Sequence, residues 1–599
     1  MALHPQQKAQ ALSLQGPERF WLYQAAQLCW HKPPSAAISA YTKTLENGVT
    51  HPIWSWFPDG EVSTCFNCVD RHVHSGRGEN NAIIWDSPVT GSKEIVTYQQ
   101  LLEETETLAG VLREHGVRKG DVVLVYSKYF LSELHSPRKL TTTLVSMIPA
   151  AIFAILAISR LGAVHTVVFD ETIIWQREQL TWTPLCPRGG ELSWQELVAD
   201  AKRRKRKAGP VSVRSDEPLY ILFTSGTTGS PKGVVRDAGG HAVGMKFCMR
   251  YVFGISQPGD VVFAASDIGW VLGHCSDVGD DGKLKSLKAI FLAGERSEPS
   301  IVWLYESLLG KYCAEPARVV DNWWSTETGS PITGLALGSN SLLDFYGQQF
   351  SAPLPIKPGS AGKPMPGYSL RVVDDKGQEV PRGNQGNIVL DLPLGPTAST
   401  SLWRDDMRFY NSYMKRFMGK FFDTGDLGFV DENGYIYILS RSDDVINVAA
   451  HRLSSAAIEE VILAHPFVAE CCVVGMPDPQ KGHKPCVFLT LSQPPHLTGV
   501  IPYKQLKKEL QTAVREHISP IASIGAIIQG QNIIPKTRSG KTMRRVLRDL
   551  VENAMRGGIN DRLEVPATIE DYTTVTNARS KLGEYLELQR SKRTSRAKL

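Results

Sequence analysis

Residues 220–233, YILFTSGTTGSPKG, restrict the possible folds of this chain more than any other stretch. Tyr220, Ile221, Leu222 and Phe223 form an apolar run that predicts a buried strand. The run passes into Thr224, Ser225, Gly226, Thr227, Thr228, Gly229 and Ser230, and Pro231, Lys232 and Gly233 close it. Glycines let backbone N–H groups crowd around an anion, and hydroxyls add further donors. Lys232 supplies a point charge suited to phosphate. No Gly-Lys-Ser/Thr follows at Walker spacing. The plainer alternative is a polar surface turn after a strand.

The flanking sequence supplies a frame for such a loop. Thr97 caps a predicted helix carrying Leu101, Leu108 and Leu112 and ending at Gly116. Val122–Tyr126 reads as a buried strand, 148–163 as an apolar helix and 164–169 as a second strand. That βαβ order predicts an α/β domain with parallel strands. Residues 127–146 have no clear period and lengthen a connection that is usually short. Strand-like runs at 261–264, 289–293 and 319–320 each lead into polar loops. Open α/β sheets bind ligands at such carboxyl ends. From Phe421 the texture changes to a hairpin around Asn433 and Gly434, and a charged break follows at 440–444. The expected organisation is a wrapping segment at 1–95, built around scattered aromatics such as Trp21, Trp54 and Trp56, followed by a large domain at 96–442. A compact α+β module at 443–556 and a polar, loosely held tail at 557–599 complete it.

Composition excludes several classes. A net charge of +5 over 599 residues does not argue for nucleic acid. Ten cysteines are too sparse for a disulfide scaffold, and Cys65 and Cys68 read as buried or incidental thiols. The longest apolar run, 147–158, is too short to span a bilayer, so no membrane association is expected. The basic run KRRKRK, 202–207, reads as a solvated face, with a nuclear address or phosphate contact as the sharper alternative. No secretory signal is visible, and the final Ala597, Lys598 and Leu599 approach the peroxisomal Ser-Lys-Leu address, which leaves cytoplasm or peroxisome. A monomer or weak oligomer is expected.

The glycine loop, WWSTE at 323–327, TGD at 424–426, HRL at 451–453 and PKTRSGK at 535–541 occur in one order. With FNCVDRHV at 66–73 and DSPVT at 86–90, they resemble the acetyl- and propionyl-CoA synthetase group of AMP-forming acid–thiol ligases. The resemblance runs through most of the chain. It implies a large adenylation domain of several subdomains with a small, mobile α+β domain. ATP and Mg²⁺ would activate a short-chain carboxylic acid as its adenylate, and coenzyme A would then take the acyl group. Carried over residue by residue, it gives the phosphates to Thr224, Ser225, Gly226, Thr227, Thr228, Gly229 and Lys232. Gly294, Glu295, Arg296, Asp321, Asn322, Trp323, Trp324, Ser325 and Thr326 would form the rest of the nucleotide wall. Glu327 would reach Mg²⁺, Asp426 with Arg441 the ribose, and Arg452 a phosphate. Lys541 would be the catalytic cation of the first step, Asp443 the hinge of the moving domain, and Ala449 a wall of the thiol tunnel. Trp270, Val271, Ala293 and Trp324 would form the acyl pocket. Ala293, where acetate-preferring relatives carry valine, leaves room for one more carbon and favours propionate, with acetate next. Leu463, His465 and Val468 would line a cation site, with helix capping as the alternative for His465.

The same resemblance exposes departures. Residues 127–146 look inserted, about fifty residues are missing after Phe169, and roughly fifty more between His274 and Cys275. Losing whole strands would cost far more than the ~5–15 kcal/mol of net stability of a domain. A catalytically impaired, nucleotide-binding protein is therefore the alternative to an active ligase, and the chain is expected to be a mis-spliced or mis-assigned product of a synthetase gene.

Overall fold

The computed structural model describes residues 3–87, 91–126, 141–144, 148–168, 194–224, 231–262, 287–294, 297, 299–313, 317–338, 353–449, 451–492, 501–537, 542–566 and 569–597.

The N-terminal segment is more regular than a wrapping strap. Pro residues open both of its helices, α1 (Pro5–Gln15) and α2 (Pro17–Ala25). Strands Ile38–Thr44 and Thr50–Trp56 form a hairpin behind them. Phe20, Trp21, Trp54, Trp56 and Phe57 are all buried in the main core. Trp21 meets Phe247 edge-on at 5.3 Å, so this segment forms one wall of the large domain's core.

The predicted βαβ unit is present. Thr97 and Gln100 make a capping box on α3 (Tyr98–Glu114), which leads to strand β1 (Val122–Tyr126). Strand β2 (Thr141–Leu144) comes next, then α4 (Pro149–Arg160) and strand β3 (Val164–Val168). Ala151, Ala154, Ala157 and Ile158 of α4 share a core with Leu108, Ala109 and Leu112 of α3. Strands β4 (Pro218–Thr224) and β5 (Lys232–Asp237) complete a sheet of order β5-β4-β3-β1-β2, parallel except for β5. Strand β2 lies at the edge of this sheet, within the stretch 127–146 that shows no clear period.

The basic run is a solvated face: Lys202, Arg203, Arg204, Lys205 and Lys207 are exposed. It begins on α5 (Trp194–Arg203) and is strapped to acids on α3 and on its own helix. Lys202 pairs with Glu104, Arg203 and Arg204 with Asp200, Arg206 with Glu114, and Lys207 with Glu106. A Cβ at Gly110 would lie 2.9 Å from the Arg206 carbonyl oxygen, so glycine permits the approach. Beneath the strap, buried Arg160 donates to Asp70 at 2.7 Å, Glu106 at 3.0 Å and the Ala208 carbonyl at 2.7 Å. Lys202, Arg203, Arg204, Arg206 and Lys207 thus each have an acidic partner within the fold.

Helix α6 (Ala238–Tyr251) follows β5. Strands β6 (Ala289–Leu292) and β7 (Arg318–Asp321) pair in parallel, with α7 (Pro299–Tyr312) between them in sequence. Val261 and Val262 are exposed and not in a strand, against the expectation for 261–264; residues 263 and 264 lie outside the described residues. An antiparallel meander follows, formed by β8 (Leu370–Val373), β9 (Gly386–Asp391), β10 (Phe421–Val430) and β11 (Ile436–Arg441). Helix α8 (Asp406–Tyr413) lies between β9 and β10 in sequence.

Strands β12 (Val445–Val448), β13 (His451–Ser454), β14 (Val468–Asp478), β15 (Gly482–Leu491) and β16 (Ala526–Gln529) form the sheet of the C-terminal part. Ser454 caps α9 (Ser455–Leu463) by accepting the Ala457 N–H at 3.2 Å. With α10 (Tyr503–His517), which buries Leu506, Leu510 and Val514, it covers one face. The other face is covered by α11 (Arg544–Met555) and α12 (Thr573–Ala597). Ala578 and Leu582 of α12 are buried with Leu547 and Leu550 of α11. Between Thr574 and Leu586 the tail is therefore docked, not loosely held.

Candidate active site

Strands β4 and β5 pair antiparallel with Thr224 opposite Lys232, so the glycine loop connects the two in the chain. Ser225, Gly226, Thr227, Thr228 and Gly229 lie outside the described residues. The strand feeding the loop is only half buried: Ile221 is enclosed, but Phe223 is 45% exposed. The far side of the loop is clamped from the segment around α8. Arg408 donates to the Pro231 carbonyl at 3.1 Å, and the Trp403 N–H donates to the Gly233 carbonyl at 2.8 Å. The Lys232 ammonium donates to the Tyr413 hydroxyl at 3.3 Å and sits 4.6 Å from its ring centroid. Tyr413 in turn donates to Glu327 Oε1. Burial lowers the Lys232 pKa, opposed by the Glu327 carboxylate. Burial and the Glu327 charge push the Tyr413 hydroxyl well above its usual range, so it keeps its proton.

Glu327 stands on a short turn after β7. Thr328 Oγ1 accepts the Ser325 N–H at 3.1 Å and donates to the Ser325 carbonyl at 3.0 Å. From below, Arg236 on β5, almost fully buried, donates to the Thr326 carbonyl. Gly329 has φ +69°, and a Cβ there would lie 2.8 Å from Arg236 Nε. Only glycine lets the arginine lie so close beneath the turn. The Ser399 N–H donates to the Glu327 carbonyl at 2.8 Å.

Strand register places the other wall. Leu292 pairs with Asp321, and the Asn322 N–H donates to the Leu292 carbonyl at 3.0 Å. Ala293 and Gly294 thus leave β6 beside Asn322, Trp323 and Trp324 leaving β7. Ala293 is half-buried and Trp324 exposed. Glu295, Arg296, Trp270 and Val271 lie outside the described residues.

The WWSTE and TGD motifs meet directly. Trp323 Nε1–H donates to Asp426 Oδ2 at 3.1 Å, and Arg441 Nη1 donates to Asp426 Oδ1 at 3.2 Å and to the Thr424 carbonyl at 2.8 Å. Gly425 takes φ +72°, a backbone conformation that residues with a Cβ rarely adopt. Sequence reasoning paired Asp426 with Arg441, but it missed the indole N–H of Trp323 as a partner of Asp426. It also missed Tyr413 and Arg236, which carry no motif of their own.

Asp443 lies in the 3-10 turn Ser442–Asp444 between β11 and β12. Arg452 lies on β13 opposite Asn447. Ala449 follows β12 with φ +47°, and its N–H donates to the Lys481 carbonyl at 2.8 Å. After α9, His465 Nδ1 accepts the Phe467 N–H at 3.3 Å and Nε2 lies 2.9 Å from Glu509. The His465 carbonyl accepts the Val468 N–H at 2.9 Å, and Leu463 is exposed. Lys541 lies outside the described residues. No group of three or more His, Cys, Asp or Glu among the described residues could hold a metal ion. Mg²⁺ shared with anionic oxygens of a substrate commonly takes only one or two protein carboxylates, and Glu327, linked to Lys232 through Tyr413, is a carboxylate of that kind.

The AMP-binding enzyme family matches residues 173–279 and 277–395, the AMP-binding enzyme C-terminal domain matches 457–541, and the acetyl-coenzyme A synthetase N-terminus matches 6–68. The human protein named acyl-CoA synthetase short-chain family member 3, mitochondrial, is 35% identical over 94% of this chain and 88% of its own length. The chain belongs to the short-chain acyl-CoA and acetyl-CoA synthetase family. Acetyl-coenzyme A synthetase of Streptomyces avermitilis is 30% identical to this synthetase over 94% of the chain and 92% of the relative. An anthranilate CoA ligase solved with anthranoyl-AMP shares the fold, with a TM-score of 0.59 at 20% identity, covering 82% of this chain and 98% of the ligase. The fold is that of adenylate-forming enzymes, a large N-terminal domain with a small C-terminal one. The alignment with the human relative spans 669 positions, more than the synthetase has residues, so the relative carries segments that are missing here. The mitochondrial designation of that relative gives the peroxisomal reading of the last three residues no support. Among the described residues no helix is long and apolar enough to cross a membrane.

Proposed function

We propose that this synthetase joins a short-chain carboxylic acid, propionate before acetate, to coenzyme A through an acyl-adenylate. In the first half-reaction a carboxylate oxygen attacks the α-phosphorus of ATP and pyrophosphate leaves. In the second the thiol of coenzyme A displaces AMP from the acyl carbon and loses its proton. Both partners of the first step are anionic, so oriented donors and positive charge must offset their repulsion. Ser225–Gly229 with Lys232 would hold the β- and γ-phosphates, and Arg452 a further phosphate oxygen. Asp426, steadied by Trp323 and Arg441, would accept from the ribose hydroxyls. Gly294, Glu295, Arg296 and Asp321–Thr326 would frame the base and the α-phosphate. Mg²⁺, when bound, would neutralise phosphate charge, and Glu327 is the residue to hold it. Lys541 would stabilise the developing charge in the first step. Rotation at Asp443 would then withdraw it and bring Ala449 to the thiol path.

The observation that carries this reading is the contact of the WWSTE and TGD motifs through Trp323 and Asp426, beside a phosphate-loop lysine linked to Glu327. For the acid, Ala293 beside Trp324 favours a three-carbon chain. One methylene in such a pocket is worth about 1–3 kcal/mol. The test is pyrophosphate exchange with purified protein. Propionate should drive exchange faster than acetate, and Ala293→Val should reverse the order. Exchange with neither acid, together with measurable ATP binding, would select the second reading, an impaired nucleotide-binding synthetase. That reading is favoured by the segments missing relative to the human protein.

A further inference from the structure

The link between Lys232 and Glu327 runs through a residue with no assigned role. Glu327 and Lys232 are opposite charges converging on one place. Left alone, they would pair and neutralise each other, and an anionic ligand would have to break that pair before it could bind. A tyrosine hydroxyl can prevent this because it has one donor and two acceptor positions. Tyr413 uses the donor on Glu327 and an acceptor on Lys232.

Its position is rigid. The ring is 8% exposed and stacks on Phe422 at 5.1 Å with planes 11° apart, and Phe409 flanks it at 5.3 Å. Helix α8, on which it sits, is capped by Asp405, which accepts the Arg408 N–H at 3.0 Å, and is tied by Asp406 to Lys43. The helix also grips the loop's exit through Arg408. One rigid element therefore touches the phosphate loop, its lysine and the Glu327 turn. The Tyr413 hydroxyl donates to Glu327 Oε1, so toward Glu327 it is a donor.

We infer that Tyr413 is a positioning residue for adenylation: its hydroxyl aims the Glu327 carboxylate at the nucleotide's divalent cation and the Lys232 ammonium at the phosphates, keeping the two from collapsing on each other. The inference rests on the function proposed above. Without the hydroxyl, Lys232 and Glu327 pair directly. AMP, which needs neither the cation nor the outer phosphates, is bound as before.

The test is calorimetric titration of the full chain with ATP in Mg²⁺, ATP in EDTA, and AMP. In wild type, Mg²⁺ should strengthen ATP binding; if it does not, the proposed function itself fails at this site. In Tyr413→Phe, which preserves the ring stack, the Mg²⁺-dependent gain should fall about tenfold, the scale of one hydrogen bond to a charged group, with AMP affinity unchanged within about twofold. Tyr410→Phe, on the same helix, should keep the gain. If the Tyr413→Phe protein does not melt cooperatively, Tyr413→His, which retains a ring and an N–H donor, should keep more than half of the gain. A full Mg²⁺-dependent gain in Tyr413→Phe, an equal loss in Tyr410→Phe, or an equal weakening of AMP would each overturn the inference.

Discussion

Asp426→Asn changes one atom and separates support of the fold from recognition of the nucleotide. Asp426 is 9% exposed and gives one oxygen to Trp323 at 3.1 Å and the other to Arg441 at 3.2 Å. An amide keeps a single acceptor oxygen. If that oxygen faces Trp323, the new NH₂ meets a guanidinium; if it faces Arg441, the indole N–H loses its acceptor at about 1–3 kcal/mol. The Arg441 side of the pair is half exposed, so its loss adds only about 0–1 kcal/mol. The folded state should weaken by about 1–3 kcal/mol in total. Recognition should suffer more. A carboxylate accepts from both hydroxyls of a diol through charge-assisted hydrogen bonds, whereas an amide offers a single, neutral acceptor oxygen. Replacing two charge-assisted hydrogen bonds by at most one neutral one loses about 2–4 kcal/mol, or about 30- to 1,000-fold in affinity. Calorimetric titration with AMP reads this directly, because AMP carries the ribose and lacks the outer phosphates. Pyrophosphate exchange and thioester formation from supplied acyl-adenylate should fall together, since the ribose is bound in both half-reactions. AMP affinity within about twofold of wild type, in a protein whose melt is lowered as computed, would refute the ribose assignment.

Lys541→Ala should divide the half-reactions: exchange should drop about 100- to 1,000-fold while thioester formation from supplied adenylate stays within about threefold, and exchange at full speed would sink the assignment. His165, buried and stacked on Tyr220, and His241, half-buried and edge-on to the same ring, predict a pH dependence of stability. Burial holds both histidines at about 3, below their ordinary 6.5, so the unfolded chain takes up two protons the folded one does not as pH falls between those values. Asp237, raised by burial to about 7 from 3.8, carries a proton only in the folded state over most of that window, which leaves a net of one. Stability should therefore fall with acidification from about pH 6.5. His165→Gln should flatten the slope by about 1.4 kcal/mol per pH unit in urea unfolding between about pH 6 and 4.5; equal slopes in variant and wild type would contradict this.

What was legible in the sequence was local in the chain. The Thr97 cap, the Gly434 hairpin and the β4 strand that ends in the glycine loop follow from residue types a few positions apart. The contacts that assemble the site are not local. Tyr413 lies 181 positions from Lys232, on a helix whose sequence shows ordinary amphipathicity, and Trp323 lies 103 from Asp426. Arg236 reads as one more strand residue until Gly329 is seen directly above it. The basic run is the solvated face its composition predicts, but its acids, Glu104, Glu106 and Glu114, precede it by about a hundred residues and could not be paired with it from the sequence. The tail did mislead. Helix α12 docks through a few small contacts, Ala578 and Leu582 among them, four positions apart in a polar sequence.

The missing segments leave a physical trace at β6 and β7. Parallel strands are ordinarily covered on both faces and continued at their edges. Here the two pair only with each other among the described residues, and α7 between them shows solvent a run of large apolar side chains, Trp303 at 60% and Leu304 at 54% exposed, with Ile301 and Leu308 beside them. A contiguous apolar patch of that kind on one helix marks a surface that normally has a cover. The AMP-binding match breaks at 277–279, a few residues past His274, and the alignment with the human relative is longer than the chain. A segment entering between His274 and Cys275 would come shortly before β6 in the chain, and we propose that it extends this sheet and covers α7. The full transcript should therefore encode additional residues there and after Phe169, and lack 127–146. Amplification across both junctions decides the matter: a read that joins His274 to Cys275 and retains 127–146 would mean that the exposed face of α7 belongs to the native protein.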